Sequence, residues 1–173
     1  MRRAMLMGAV LCFGVLGVLA QDTGEKAAII HNANAKFAPV AGIPDCVTSA
    51  LQRGDPKTGP SVMQLKFDST CVVPWHWHSI NETVTGVSGL LQITEKGGKP
   101  QVLGAGDFAY MPAKHVHQAK CAGTKPCTIF VHSDGVFDLH YVDKNGEEIA
   151  PEKALADVNK PADKPGAKPA PKQ

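Results

Sequence analysis

The sequence predicts an all-β fold in which short strands form a sandwich or a barrel. Three observations lead to this prediction. Short runs rich in Val, Ile, Thr and aromatic residues recur at close spacing, Gly- and Pro-containing breakers separate them, and the central chain shows no helical period. The breakers supply the residues that tight turns need, and many short strands with regular turns are typical of closed or double-sheet β architectures.

The predicted strands follow the apolar runs in order along the chain. They cover residues 46–53, 61–67, 82–87, 90–95, 101–103, 107–111, 116–120, 128–132 and 137–142, and residues 72–78 also have the composition of a strand. The segment before residue 45 is less regular. Its stretch GEKAAIIHNANAKF is compatible with a short helix or with an edge strand, and both alternatives stay open.

Both ends of the chain differ in composition from the centre. In residues 1–20, Arg2 and Arg3 form a basic start, an apolar run follows, and small residues stand at the two positions that a signal peptidase reads, which is typical of a cleaved secretory signal peptide. The run is short for a membrane span and no basic cluster follows it, so we expect no stable membrane anchor. Residues 151–173 are rich in Pro, Ala and Lys and predict a flexible, disordered tail after a possible short helical turn. The expected division is therefore a signal at 1–20, an N-terminal segment at 21–44, one β domain at 45–150 and the tail, in a periplasmic or secreted protein.

The charge of the chain argues against a nucleic-acid partner. Loss of Arg2 and Arg3 with the signal would lower the Lys and Arg count from 18 to 16, which equals the 16 Asp and Glu residues. A formally neutral chain lacks the basic surface of a nucleic-acid-binding protein.

The cysteine count fits export. Five cysteines are present, and Cys12 lies in the predicted signal. The remaining four suggest disulfides, with three possible connectivities. Cys121 and Cys127 flank the turn-like stretch AGTKP, so a bridge between the two arms of a hairpin is one possibility, and it would leave Cys46 with Cys71. A thiolate metal site is the alternative, but the chain has no C-x-x-C pair.

Two histidines and a glutamate stand close together in the stretch VVPWHWHSINETVTGVSG, residues 72–89. Because side chains alternate between the faces of a strand, His76 and His78 are expected to point the same way and the neighbouring tryptophans the other way. Glu82 follows after SIN, a stretch suited to a turn or bulge that can redirect a side chain. Two neutral imidazoles and a carboxylate that converge on one point are a typical ligand set for a divalent transition metal.

A second motif extends this pattern. In GDFAYMPAKHVHQAKC, Gly106, Pro112 and His117 follow one another at spacings of six and five positions. With these residues the sequence resembles the cupin superfamily, whose first motif matches at His76, His78, Glu82 and Gly89. At the local level it is similar to small exported bacterial single-domain cupins of type 2. Three positions depart from the motifs, and they carry residues other than the usual Gly, Gly and Asn: Thr70, Lys114 and Cys121.

The resemblance implies a cupin jelly-roll barrel with a divalent metal (Mn, Fe, Ni, Co or Zn) held by His76, His78, Glu82 and His117. It further implies a metal-dependent enzyme, dioxygenase-like, that acts on a small organic molecule. A non-catalytic periplasmic module that binds a metal or a small ligand is the alternative, and a homodimer is possible. Glu82 is a candidate base. His115 shares strand parity with His117, so it is a candidate catalytic group near the metal or a proton carrier, and the alternative is a loop histidine at the surface.

Overall fold

The chain forms two antiparallel β-sheets that enclose a common interior. The computed structural model describes residues 26–156 and residue 158. The predicted signal at 1–20 and the end of the predicted tail lie outside the described residues. Among the described residues, no helix has the length and apolar character that a membrane crossing requires.

Eleven strands, one 3-10 turn and one short helix are present in the described part of the chain. The turn is Asn32–Asn34, and the helix α1 is Pro151–Leu155. The strands β1 to β11 are, in chain order, Ala38–Pro39, Val47–Gly54, Ser61–Phe67, Val72–Trp77, Glu82–Ser88, Leu90–Glu95, Gln101–Leu103, Phe108–Met111, His117–Ala122, Cys127–Ser133 and His140–Tyr141.

The two sheets divide the strands in the manner of a jelly roll. The first sheet has the order β1-β2-β3-β10-β5-β8, and the second has the order β11-β4-β9-β6-β7. Every pair of neighbouring strands is antiparallel. The predicted all-β fold is confirmed, and the two-sheet arrangement places strands that are distant in sequence beside one another.

The core lies between the sheets and follows from the period of two in the strands. In β10, for example, Cys127, Ile129 and Val131 are buried while the residues between them are partly or fully exposed. Inward side chains of both sheets form one apolar cluster, in which Tyr141, Val47 and Val131 are almost completely buried. Alternation of this kind fixes the register, because a shift by one residue would expose the apolar set.

One disulfide joins the two sheets. Cys46 immediately precedes β2 of the first sheet, Cys71 immediately precedes β4 of the second, and the two residues are bonded. The bridge considered between Cys121 and Cys127 is absent, and both are buried free thiols. These residues are not the two arms of one hairpin, because β9 belongs to the second sheet and β10 to the first. Burial, followed by the neighbouring Cys121, raises the pKa of the Cys127 thiol.

Two of the departures from the cupin motifs coincide with unusual backbone. Thr70 has φ +67° and Lys114 has φ +64°, and they are the non-glycine residues with positive φ among the described positions. Both occupy positions at which the motifs usually have glycine, which adopts this left-handed conformation without a steric penalty. The backbone therefore keeps the motif geometry at these turns even though the side chains differ.

The last predicted strand is largely wrong. Residues 137–142 were expected to form one strand, but only His140–Tyr141 pair with β4, at Trp77 and His76. Residues 134–139 instead form a loop, called here the covering loop. Its main chain is held by contacts outside a sheet ladder, among them the Phe137 N–H, which donates to Pro56 O at 2.8 Å.

Candidate metal centre

Three histidines meet in the interior where strands of the second sheet lie side by side. His76 is on β4 and pairs in register with His117, the first residue of β9, and His78 follows directly after β4. One ring nitrogen of each residue lies within 4.8 Å of the others, and all three residues are buried. His76 and His78 thus face the same interior, as the strand period predicts, while Trp75 and Trp77 are only half-buried.

The three imidazoles are oriented by main-chain carbonyl groups. His76 Nδ1 contacts Pro74 O at 2.6 Å, His117 Nδ1 contacts His115 O at 3.0 Å, and His78 Nδ1 contacts Asp138 O. A carbonyl oxygen can only accept a hydrogen bond, so each Nδ1 must carry the proton and donate it. In a neutral ring the lone pair then resides on Nε2, which is the arrangement that metal-binding histidines use.

Glu82 approaches this cluster from the other sheet. It is the first residue of β5, and its Oε2 lies 3.5 Å from His117 Nε2 and its Oε1 lies 3.7 Å from His78 Nε2. Burial acts to raise the pKa of Glu82, but the hydrogen bond with His117 and the charges of His78 and His117 outweigh it, so the net pKa is lowered. The carboxylate is therefore ionised at neutral pH.

The environments of two histidines shift their pKa values in opposite directions. Burial, followed by repulsion from His117 and His78, holds the pKa of His76 well below its ordinary value. Burial also acts to lower the pKa of His117, but the hydrogen bond with Glu82 and its charge outweigh it and raise the pKa. His76 is thus kept neutral and ready to donate a lone pair.

A divalent cation fits this set of donors. His78 Nε2 is buried and has no hydrogen-bond partner in the structure, which is costly for a polar atom. A cation at the centre of the three Nε2 atoms and the Glu82 carboxylate would satisfy all four groups. Three imidazoles with one carboxylate suit several first-row metals, and the donor set does not select among them.

The covering loop closes the site on one side. The Phe137 ring lies 5.2 Å from the His78 ring, and Phe137 and Leu139 line the interior. Asp138 anchors the loop twice, because its carbonyl oxygen accepts from His78 and its Oδ1 accepts from the Ser79 N–H at 2.8 Å. The loop therefore supports a metal-binding ring as well as covering it.

Asn81 ties the turn between the ligands to two other segments. Its N–H and Nδ2 donate to the Asp134 carboxylate at 3.0 and 2.6 Å, and its Oδ1 accepts from the Ala113 N–H at 3.0 Å. The next residue along that segment, Lys114, donates its N–H to His78 O at 2.7 Å. Asn81 thus holds the turn that separates His78 from Glu82.

The space beside the ligands is small and apolar. A cavity of about 40 Å³ adjoins all four predicted ligands, and the other thirteen lining side chains are Val, Ile, Leu, Phe or Ala. One water needs roughly 10–15 Å³ on this measure, so a few water-sized groups fit.

His115 lies outside that lining. Its ring nitrogen Nε2 is 3.1 Å from Glu95 Oε2, and its side chain is 38% exposed. Its main chain, however, accepts the hydrogen bond that orients His117. The structure thus brings together His76, His78, Glu82 and His117, and links His115 to them only through its carbonyl group.

The residues that orient the ligands were not predicted from the sequence. Pro74 and Asp138 act through main-chain carbonyls, which carry no side-chain signature. Asn81 and Asp134 could have been suspected as turn-forming residues, but nothing in the sequence shows that they contact one another. A further cluster was also missed, in which His140 stacks on Trp77 at 4.0 Å and contacts Glu148 and Asp138 at 2.8 and 3.3 Å.

A comparison with known protein families identifies the part of the chain that contains the candidate site. The family model described as Cupin domain matches residues 66–133, which include all four predicted ligands. Residues 66–133 therefore form a cupin domain. No curated protein matches this cupin in sequence.

Solved structures similar to this cupin are distant in sequence. The polyketide cyclase RemF from Streptomyces resistomycificus has a TM-score of 0.60 at 14% identity, with 75% of this chain and 99% of that one covered. An RmlC-like cupin from Ralstonia eutropha has a TM-score of 0.59 at 21% sequence identity, with 78% of this chain and 86% of that one covered. An acetylacetone dioxygenase from Acinetobacter johnsonii has a TM-score of 0.57 at 15% sequence identity, with 82% of this chain and 97% of that one covered. These likenesses show the fold.

Proposed function

We propose that this cupin is an exported metal-dependent enzyme, dioxygenase-like, that acts on a small organic molecule. The observation that carries the proposal is the ligand cluster. Three imidazoles with Nε2 directed inward, one of them unpartnered, lie beside a buried carboxylate and adjoin an apolar cavity. A bound ion of this class would supply Lewis acidity and, with iron or manganese, redox chemistry.

The residues of the chain have separate tasks in this proposal. His76, His78 and His117 hold the metal and keep their orientation through the carbonyl groups behind them. Glu82 is ionised, so it can complete the ligand set or accept a proton from a substrate O–H or C–H group. Phe137 and Leu139 exclude water from the reacting atoms.

A catalytic role of His115 stays a prediction. Its ring pairs with Glu95 at the surface, from where it could exchange protons with solvent. Replacement His115→Ala keeps the carbonyl that orients His117, so metal content should be retained. A loss of turnover at full metal content would support a catalytic role, and unchanged turnover would exclude it.

Export is supported by the disulfide and by the composition of residues 1–20. A bond such as Cys46–Cys71 persists in oxidising compartments and is rare in the cytosol. Fractionation of the source cells with intact-mass analysis tests this. A chain that begins at Gln21 outside the cytoplasm is expected, and a cytoplasmic chain that retains residues 1–20 would contradict export.

Oxygen consumption tests the catalytic proposal. Protein with measured metal content would be screened with small phenolic and keto compounds, and the His78→Ala variant would serve as the inactive control. Metal-dependent oxygen uptake with at least one compound supports the dioxygenase-like reaction.

A non-catalytic binding module is the second candidate, and the covered, small cavity favours it. Under that proposal, full metal occupancy would accompany the absence of turnover with every compound.

The sequence also left a homodimer possible, and sedimentation equilibrium of the purified chain tests it.

A further inference from the structure

The cavity beside the candidate metal centre offers no polar contact apart from the ligands themselves. Its remaining lining is hydrocarbon, including Val84, Ile93 and Val131 from the strands and Phe137 and Leu139 from the covering loop. No Lys, Arg, Ser, Thr, Asn or Gln side chain of the described residues lines it. Whatever part of a bound molecule extends away from the ligands must therefore pack against carbon.

The charge of the centre limits the charge of its ligand. A divalent ion held by the Glu82 carboxylate and three imidazole lone pairs would keep one positive charge in the site. One anionic oxygen on a bound molecule would compensate it. A second anionic group would lie in the apolar part of the cavity without a partner, which strongly disfavours burial.

The charged groups around the site offer no such partner. Asp134 and Asp138 of the covering loop are carboxylates, and they already accept hydrogen bonds from Asn81 and Ser79. The His115 ring is paired with Glu95 and does not line the cavity. The loop that covers the site thus adds negative charge and would repel a dianion.

We infer that this cupin takes a small apolar molecule that presents one or two neighbouring oxygens to the ligand cluster and carries at most one negative charge, such as an enolisable ketone or a phenol. This inference rests on the proposed metal site and names the class of its substrate. It disfavours dicarboxylates and phosphorylated compounds, whose second charge finds no partner among the side chains that line the cavity.

Two matched probes test the inference. The diketone 2,4-pentanedione and malonate have the same number of non-hydrogen atoms and the same spacing of chelating oxygens, but malonate has carboxylate oxygens where the diketone has methyl groups. Calorimetry and the visible spectrum of the full chain loaded with cobalt would give both dissociation constants. Burial of the two methyl groups of the diketone, which malonate lacks, predicts roughly fifteen-fold tighter binding of the diketone.

A pair of variants controls for the position of charge. Leu139→Lys places an ammonium group at the cavity, so it should tighten malonate binding by on the order of ten-fold. Val136→Lys adds the same charge at an exposed position of the same loop that does not line the cavity, so it should leave the ratio of the two constants unchanged.

The outcomes separate the two proposals. If malonate binds the cobalt-loaded chain as tightly as the diketone or more tightly, the inference is overturned. The inference is also overturned if neither probe binds at full cobalt content. In both cases the metal site would stand. Failure of cobalt to bind would instead remove the metal site and the inference with it. If the diketone binds more tightly than malonate but the oxygen-uptake screen finds no turnover, the dioxygenase-like reaction is overturned and the selectivity of the cavity is supported.

Discussion

Loss of the Cys46–Cys71 disulfide should destabilise the fold by a predictable amount. The bond closes a loop with a sequence separation of 25 residues. In the chain-entropy model, closure of a loop of that size lowers the entropy of the unfolded chain by about 12 cal/mol/K, which corresponds to about 3.5 kcal/mol at 25 °C. Because the bond joins the start of β2 to the start of β4, its loss frees one end of both sheets.

Urea unfolding with and without a reductant measures this effect. The wild-type chain, purified from an oxidising compartment, should lose about 3.5 kcal/mol of unfolding free energy on reduction. The double variant Cys46→Ala/Cys71→Ala is the control, and it should be insensitive to the reductant because the two remaining described cysteines are already thiols. A loss below about 1 kcal/mol in the wild type, or an equal response in the variant, would refute the reasoning.

Three further predictions follow from the backbone and from a surface cluster. A Cβ on Gly86 would lie 1.9 Å from Gly104 O, so Gly86→Ala should destabilise the fold by at least about 2 kcal/mol, whereas Gly59→Ala, with open space around it, should change unfolding free energy by less than about 0.5 kcal/mol. Thr70→Gly should raise thermal stability by up to about 1 kcal/mol because it relieves the left-handed strain, and a lower midpoint would contradict this. Burial acts to lower the pKa of His140, but its hydrogen bonds to two carboxylates outweigh it and raise the pKa. His140 therefore stabilises the fold fully when the pH is below the pKa that it has in the unfolded chain. This stabilisation is lost as the pH rises through the pKa that it has in the folded chain. Urea midpoints of wild type and His140→Gln should converge at alkaline pH, and a constant difference would exclude this contribution.

Much of the fold could be predicted because the strand signals are local. The bounds of β3, β6 and β7 agree with the sequence prediction, since each is a short run with Gly, Pro or Asp within two residues of either end. The covering loop was mistaken for part of a strand because VFDLHYV alternates like one. Phe137 and Leu139 face the cavity from a loop whose main chain is held by the Asp138 carboxylate and by Pro56 rather than by a ladder.

The side chains of the candidate site could be predicted from the sequence, but the main-chain groups that orient them could not. Histidines and glutamate at motif spacing carry a chemical signature, and the structure brings all four together. The carbonyl groups of Pro74, His115 and Asp138 leave no trace in the sequence, because every residue has a carbonyl. The disulfide pairing was ambiguous for a similar reason, since the assignment of β9 and β10 to different sheets depends on contacts across the whole domain.

Elemental analysis of the purified chain tests the central claim most directly. Wild type should contain close to one equivalent of a divalent transition metal, and His76→Ala and His117→Ala should each contain well below one equivalent. His132→Ala, which replaces an exposed histidine on β10, should match wild type. Metal at a hundred-fold excess over its dissociation constant should stabilise wild type by about 2.7 kcal/mol and leave the two ligand variants unchanged. Full metal occupancy in both His76→Ala and His117→Ala would contradict the metal centre assigned to this cupin.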